Sequence, residues 1–178
     1  MIGSLLLALG IPLAVGFLSS RAAGPPAAVR AYYAAIPKPA WAPSPGVFAP
    51  VWTALYASTG LASWLVFRST SSARGAALAW YVAQLALSAF WTPAFFAMHR
   101  PGVALALLLA LLLAAAQTAR LFWRADRRAG ALLLPYLAWL AFAAALNAAV
   151  ARASSTAAAA PTPSPAPAAP ASVAHADS

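Results

Sequence analysis

The chain has no cysteine and almost no acidic residues, and both absences narrow its chemistry. Without cysteine it forms neither disulfide bonds nor thiolate metal sites. Its two carboxylates, Asp126 and Asp177, lie outside the long apolar runs, which excludes acid–base hydrolysis and carboxylate metal binding within those runs. Charged residues make up only 7% of the chain, against about 25% in a soluble domain. We therefore expect a membrane protein with no metal site and no required cofactor.

The basic residues are placed as membrane-boundary residues are. The formal net charge is +9, yet the arginines and the single lysine stand alone or in pairs between apolar runs. This placement disfavours nucleic-acid binding. Counted against the predicted spans, six basic residues fall on the side that holds the N-terminus and five on the other. The positive-inside rule therefore leaves the orientation open.

Five apolar segments come close to the length of about 20 residues that a membrane-spanning helix needs. The first follows Met1 directly and lacks the basic residues that open a signal peptide, so we expect a retained helix, with a cleaved peptide as the alternative. The sequence thus predicts an all-α, multi-pass membrane protein, with a bundle of five transmembrane helices in residues 1–152. The predicted helices are 2–18, 46–67, 75–98, 101–122 and 130–150.

Two further segments differ from the helices in composition. Residues 19–45 form a long connection, and the proline-studded strip "IPKPAWAPSPGVFAP" predicts a stiff, extended backbone over Ile36–Pro50. Residues 153–178 are mainly alanine, proline, serine and threonine without apolar periodicity, so we expect a disordered tail.

Aromatic and neutral polar side chains share faces within three predicted helices. Such a face either packs against a neighbouring helix or lines an interior cavity. Rings and amides suit a large, flat, mostly apolar ligand. No predicted span holds an interior acid, which argues against an ion pathway, and His99 lies at a boundary, which argues against axial haem ligation inside the bundle. The faces carry Trp52 and Tyr56 in the second helix, Tyr81, Gln84, Ser88, Trp91 and Phe95 in the third, and Tyr136, Ala143 and Asn147 in the fifth, with Trp139 about 60° away.

Three motifs, in this order, resemble one family. "YYAAIPKPAWAPSPGVFAPVWTALY", "AQLALSAFWTPAFFAM" and "LLLPYLAWLAFAAALN" are similar to the signature, the third helix and the fifth helix of the TspO/MBR family of tryptophan-rich sensory proteins and mitochondrial translocator proteins. The resemblance runs from the first helix to about Arg152. It implies a five-helix bundle, usually a homodimer, that binds porphyrins, haem and related tetrapyrroles.

The resemblance also assigns residues. Some bacterial members are reported to degrade protoporphyrin in light through two tryptophans, which correspond to Trp52 and Trp139. The proline strip would act as a lid over the cavity mouth, and Lys38 and Arg30 would meet either tetrapyrrole propionates or lipid phosphates. The full predicted ligand-binding set is Tyr32, Tyr33, Trp41, Pro43, Trp52, Tyr56, Gln84, Ser88, Trp91, Trp139, Ala143 and Asn147.

Three positions depart from the family pattern. Tyr32 stands where tryptophan is usual, Ser88 replaces the expected asparagine, and Ala148 and Ala149 occupy the place of the aromatic in the sterol-recognition pattern. The last departure argues against cholesterol as the natural ligand. Two function classes stay open. One is a tetrapyrrole-binding receptor or transporter, with or without light-dependent porphyrin degradation. The other is a membrane scaffold or stress regulator whose pocket is vestigial or binds sterol or lipid.

Small residues lie opposite the polar face of the third predicted helix. Ala79, Ala83 and Ala86 are spaced so that another helix backbone can approach closely in lipid. That helix belongs either to the same chain or to a second copy. The homodimer implied by the family favours the second copy.

Overall fold

The computed structural model describes residues 2–159, with side chains described as far as Thr156, and this part of the chain is all-helical. Two helices are short, α2 (Pro26–Ala35) and α6 (Arg127–Leu132). The long helices are α1 (Ile2–Ala22), α3 (Pro45–Arg68), α4 (Arg74–Phe96), α5 (Pro101–Ala125) and α7 (Leu134–Ala159). The predicted all-α class is confirmed.

Three segments are long and apolar enough to cross a membrane by length and composition: α1, α5, and residues 127–156 across α6 and α7. Helices α3 and α4 have comparable lengths of 24 and 23 residues. Their interior polar residues lower the mean hydropathy. These residues include Thr59, Ser63, Gln84 and Ser88, all of them buried.

The outer surface of the helices is strongly apolar. Leu7 and Phe17 on α1, Val82 and Phe90 on α4, and Leu113 on α5 are each more than 60% exposed. A soluble monomer rarely exposes apolar patches on this scale. The surface therefore fits a hydrocarbon environment.

The long helices follow one another around the bundle in the order α3, α1, α4, α5, α7. Helices α3 and α7 touch each other only lightly, and α6 bridges α3 and α5 beside them. The core lies on the inner faces of this arrangement.

Glycines allow α1 and α3 to approach each other closely. Pro12 cannot donate to the Ala8 carbonyl one turn earlier, and that oxygen faces Gly60, where a Cβ atom would lie only 2.5 Å from it. One turn earlier on α3, the ring of Tyr56 packs on Gly16, where a Cβ would lie 2.7 Å from Tyr56 Cδ2. Small residues at such crossings are typical of membrane helix pairs.

A second backbone carbonyl that lacks its helical N–H partner because of a proline links α1 to α4. Pro93 cannot donate to Ala89 O, and the Ser19 hydroxyl of α1 donates to that oxygen at 2.9 Å. In hydrocarbon an unpaired carbonyl is costly, so this bond stabilises α4 where Pro93 interrupts its hydrogen-bond ladder.

The predicted connection 19–45 is partly helical, so it is not a single long loop. Helix α1 continues to Ala22, α2 occupies Pro26–Ala35, and α3 begins at Pro45, so the strip is irregular only between α2 and α3. Pro26 and Pro45 each stand in a first helical turn, where the missing N–H costs nothing. Within the strip expected to be extended, Pro45 therefore starts a helix, whereas Pro37, Pro39 and Pro43 lie in the irregular segment before it.

The predicted fifth helix, 130–150, also differs from the structure. The chain forms α6, breaks at Leu133 and resumes as α7, because Pro135 cannot continue the hydrogen-bond ladder of α6. Helix α7 then extends to Ala159, which makes the first residues of the predicted disordered tail helical, in line with the high helix propensity of alanine. The rest of that predicted tail, 160–178, lies outside the described residues.

Candidate functional site

We refer to helix α2 and the turn after it, residues 26–44, as the lid, after the role predicted for this segment, and hydrogen bonds tie it together. The Lys38 ammonium donates to the carbonyls of Tyr33, Ala34 and Ile36 at 2.8, 3.1 and 3.4 Å, so it closes the C-terminal end of α2. The Tyr33 hydroxyl donates to Pro43 O at 2.9 Å. Lys38, predicted to meet propionates or lipid phosphates, instead uses its three donors within the lid. Burial raises the pKa of Tyr33, so its hydroxyl stays neutral at physiological pH.

Aromatic rings dock this lid on the bundle. Tyr32 stacks on His99 with ring centroids 4.2 Å apart and meets Phe95 edge-on at 6.0 Å. His99 follows α4 with a φ of 53°, a left-handed conformation that ends the helix and presents the ring to α2. At the other end of the lid Trp41 is half exposed and meets Phe142 of α7 at 5.7 Å.

Trp52 is the centre of the interior aromatic cluster. Its ring lies 5.5 Å from Tyr56, 5.8 Å from Trp91 and 6.3 Å from Tyr136, centroid to centroid. These rings come from α3, α4 and α7. The structure thus brings together residues from all three predicted faces, two from α3 and one each from α4 and α7.

Trp139 lies between this cluster and the lid. Its ring contacts Phe48 at 6.1 Å and Phe142 at 5.2 Å. Within the described residues its Nε1 is buried and has no hydrogen-bond partner, which leaves a donor directed into an apolar, aromatic environment. Ala143, also predicted for the site, is buried in the same core as Tyr136 and Trp91.

The buried polar groups mostly pair with one another across helices. Tyr56 Oη and Ser88 Oγ are 2.6 Å apart, and the Tyr136 hydroxyl donates to Gln84 Oε1 at 2.7 Å. Asn147 accepts from Trp91 Nε1 at 3.2 Å and donates to a backbone carbonyl of α5 at 2.8 Å. The amide of Asn147 therefore has the helix-joining role that the sequence left as one alternative.

Several residues of the site were not selected from the sequence. Periodicity placed Tyr136 on an inward face of the fifth predicted helix, but Tyr136 was not included in the predicted ligand-binding set. Residue spacing in the sequence does not point to Phe48, Phe142 or His99, because their role depends on where the lid docks. Among the described residues, no group of three histidine, cysteine or acidic side chains could hold a metal ion.

The small-residue face of α4 points outward. Ala79, Ala83 and Ala86 are exposed, whereas Gln84, Ser88 and Trp91 are buried. Within the described chain these alanines are thus available on the outer surface of α4.

Fold and site together define a helical membrane protein with an uncharged aromatic interior beneath a short helical lid. Comparison with known proteins gives the same class. A family model described as the TspO/MBR family matches residues 8–152. The chain therefore belongs to the TspO/MBR family and is an integral membrane protein.

Three relatives illustrate the similarity. The tryptophan-rich sensory protein of Cereibacter sphaeroides is 42% identical over 116 residues, covering 65% of this chain and 72% of the relative. The translocator protein of Homo sapiens is 41% identical over 124 residues, covering 68% and 73%. The protein CrtK of Rhodobacter capsulatus is 34% identical over 146 residues, covering 78% and 90%.

Proposed function

We propose that the protein is a membrane receptor or transporter for a flat tetrapyrrole such as protoporphyrin or haem. The observation that carries the proposal is the cluster around Trp52, where rings from three helices meet in an interior without charge. Aromatic faces stack against a planar macrocycle, and the unpartnered Trp139 Nε1 supplies a donor for an acceptor on the ligand.

The ligand enters by displacing the lid and separating rings. The aromatic centroids lie 5.5–6.3 Å apart around Trp52, so the side chains fill the site in this conformation. Open grooves lie elsewhere: one of about 550 Å³ beside Arg152 and one of about 280 Å³ between α1 and α4. The lid docks through the buried Tyr33 and Ile36 and through the rings of Tyr32 and Trp41, and the half-exposed Trp41 contact would open first. Arg30, exposed on α2, is then the lid cation available to a propionate.

The proposed architecture has all five long helices crossing the membrane, in residues 1–152. Helices α3 and α4 contain more polar residues, but Thr59, Ser63, Gln84 and Ser88 are buried in the bundle, so they would not face lipid. We further propose a homodimer through the exposed Ala79, Ala83 and Ala86. Backbones approach closely over alanines, which favours association in lipid.

Light-dependent chemistry is an optional part of the same proposal. Trp52 and Trp139 both border the proposed ligand position, and indole side chains can give an electron to a light-excited porphyrin. Oxygen would be the final oxidant of the macrocycle. Trp139 and Trp52 share no direct ring contact within the described residues, so a bound macrocycle would lie between them.

A scaffold or regulator with a vestigial pocket is the second candidate. The observation that favours it is the internal pairing of the polar groups, since Ser88 and Asn147 and the Gln84 carbonyl oxygen all bond within the protein. Protoporphyrin titrated into detergent-solubilised protein separates the two candidates. Saturable quenching of tryptophan fluorescence at micromolar protoporphyrin supports the receptor, and quenching that grows linearly without saturation supports the scaffold.

A further inference from the structure

An open groove lies where the beginning of α5 meets the end of α7. The Asn147 amide joins the two helices next to it, donating to Pro101 O at 2.8 Å. Both helices belong to segments that are long and apolar enough to cross a membrane, so the groove lies at a membrane boundary. It measures about 550 Å³ and is lined by Leu105, Ala148, Ala151, Arg152, Ser155 and Thr156.

Small side chains on α7 leave this groove open. Ala148 and Ala151 are one turn apart and line it together with Leu105 of α5. Ala148 stands in the region where the family's sterol-recognition pattern has an aromatic, and a ring there would take up the space that the methyl group leaves. The inner part of the groove is therefore an apolar wall without a ring, which an acyl chain can follow.

The other end of the groove carries a positive charge without a counter-charge. The Ser155 and Thr156 hydroxyls donate to backbone carbonyls of α7, at 2.9 and 3.1 Å. The exposed Arg152 guanidinium has no hydrogen bond or ion pair among the described residues. The one carboxylate in that part of the chain, Asp126, lies at the opposite end of α5. The donors that the groove offers to a ligand are thus those of a guanidinium.

We propose that this groove binds an anionic phospholipid, with an acyl chain along Leu105, Ala148 and Ala151 and the phosphate on Arg152. A guanidinium matches phosphate oxygens in a bidentate pair, and basic pockets between membrane helices bind anionic headgroups. A sterol would present only a hydroxyl to the guanidinium, and a free phosphate would leave the apolar wall uncovered. The site is separate from the cluster around Trp52 and does not depend on tetrapyrrole binding.

Native mass spectrometry of the full chain in neutral detergent, titrated with phosphatidylglycerol, tests the charged end of the groove. Arg152→Gln keeps a polar side chain but removes the charge, and Kd of the first bound phosphatidylglycerol should rise about fivefold. The matched control is Arg120→Gln, an exposed arginine elsewhere on α5, which should leave that Kd unchanged. Equal Kd values for the two variants would overturn the proposal.

The apolar end is tested by filling the groove. Ala148→Phe should weaken phosphatidylglycerol binding, whereas Ala145→Phe, at an exposed position of α7 outside the groove, should not. If Ala148→Phe bound this lipid as the wild type does, the chain would not lie in the groove.

Three competing ligands identify the source of the phosphate. Phosphatidylcholine should bind more weakly than phosphatidylglycerol, and equal binding would contradict an anionic lipid site. Millimolar inorganic phosphate should not displace phosphatidylglycerol, and displacement would indicate a free-anion site instead. Cholesterol should not compete, and competition that persists in Arg152→Gln would indicate a sterol groove and overturn the proposal.

Discussion

Substitution of Gly16 by alanine tests how α1 positions the interior of the site. The added methyl would overlap the Tyr56 ring, with Cδ2 at 2.7 Å and Cε2 still closer. The backbone of α1 cannot move away easily here, because α1 also packs closely against α3 at Gly60. The Tyr56 ring must therefore move, and its hydroxyl then loses the 2.6 Å bond to Ser88 Oγ.

The loss of stability in Gly16→Ala comes from the overlap with the Tyr56 ring and from the lost hydrogen bond to Ser88. Overpacking a tight contact costs about 1–3 kcal/mol, and leaving a buried hydroxyl unpaired costs about 1–3 kcal/mol. We expect a net loss of about 3 kcal/mol, which lowers Tm by roughly 6–12 °C for a chain of this size. Thermal unfolding in detergent, followed by circular dichroism, measures it.

The matched control is Gly10→Ala on the same helix, where a Cβ meets nothing within 4 Å. It should leave Tm unchanged or slightly higher. Tyr56→Leu should relieve much of the Gly16→Ala penalty, because the ring that clashes is gone. If Gly16→Ala and Gly10→Ala had the same Tm, the close packing of α1 on Tyr56 would be refuted.

Three further predictions follow from the lid, the outer face and the tryptophans. Burial raises the pKa of Tyr33 above its ordinary value of 10.0, so the lid is stable below that pH and loosens as the pH rises through the higher pKa of the folded protein. Proteolysis of residues 36–44 should therefore increase with pH in this range in the wild type. In Tyr33→Phe the rate of proteolysis should not show this increase. Ala79→Leu with Ala83→Leu should shift the detergent-solubilised protein from dimer to monomer by light scattering while porphyrin binding survives; an unmoved dimer would place the interface on another helix. Under illumination in air, wild type should convert bound protoporphyrin to a ring-opened product faster than Trp52→Phe with Trp139→Phe, and equal rates would mean that the porphyrin degrades by itself.

Periodicity in the sequence was a good guide to the long helices and to their inner faces. The 3.6-residue repeat of α4 placed Gln84, Ser88 and Trp91 on one side, and all three are buried, with the alanines outside. This works because a helix fixes which side chains share a face, whatever the rest of the fold does.

The conformation of the lid and the hydrogen-bond partners inside the bundle could not be predicted from periodicity. Proline content predicted extended backbone, but a proline in a first helical turn also starts a helix, and only the surrounding fold decides between the two. The bond from Tyr136 to Gln84 joins residues 52 positions apart, and the stack of Tyr32 on His99 depends on how α2 docks. Such contacts arise from tertiary packing, which a single sequence does not specify.

The most direct test of the proposed tetrapyrrole site is the dissociation constant of protoporphyrin for a variant that lacks both site tryptophans. Trp52→Ala with Trp139→Ala should raise Kd at least tenfold, equivalent to about 1.4 kcal/mol, because two stacking faces are removed. The matched control is Trp80→Ala with Trp123→Ala, since both indoles lie exposed on the outer surface, at 42% and 46%. It should leave Kd within twofold of the wild type. If the two double variants bound protoporphyrin equally well, the site around Trp52 would not be where the ligand binds.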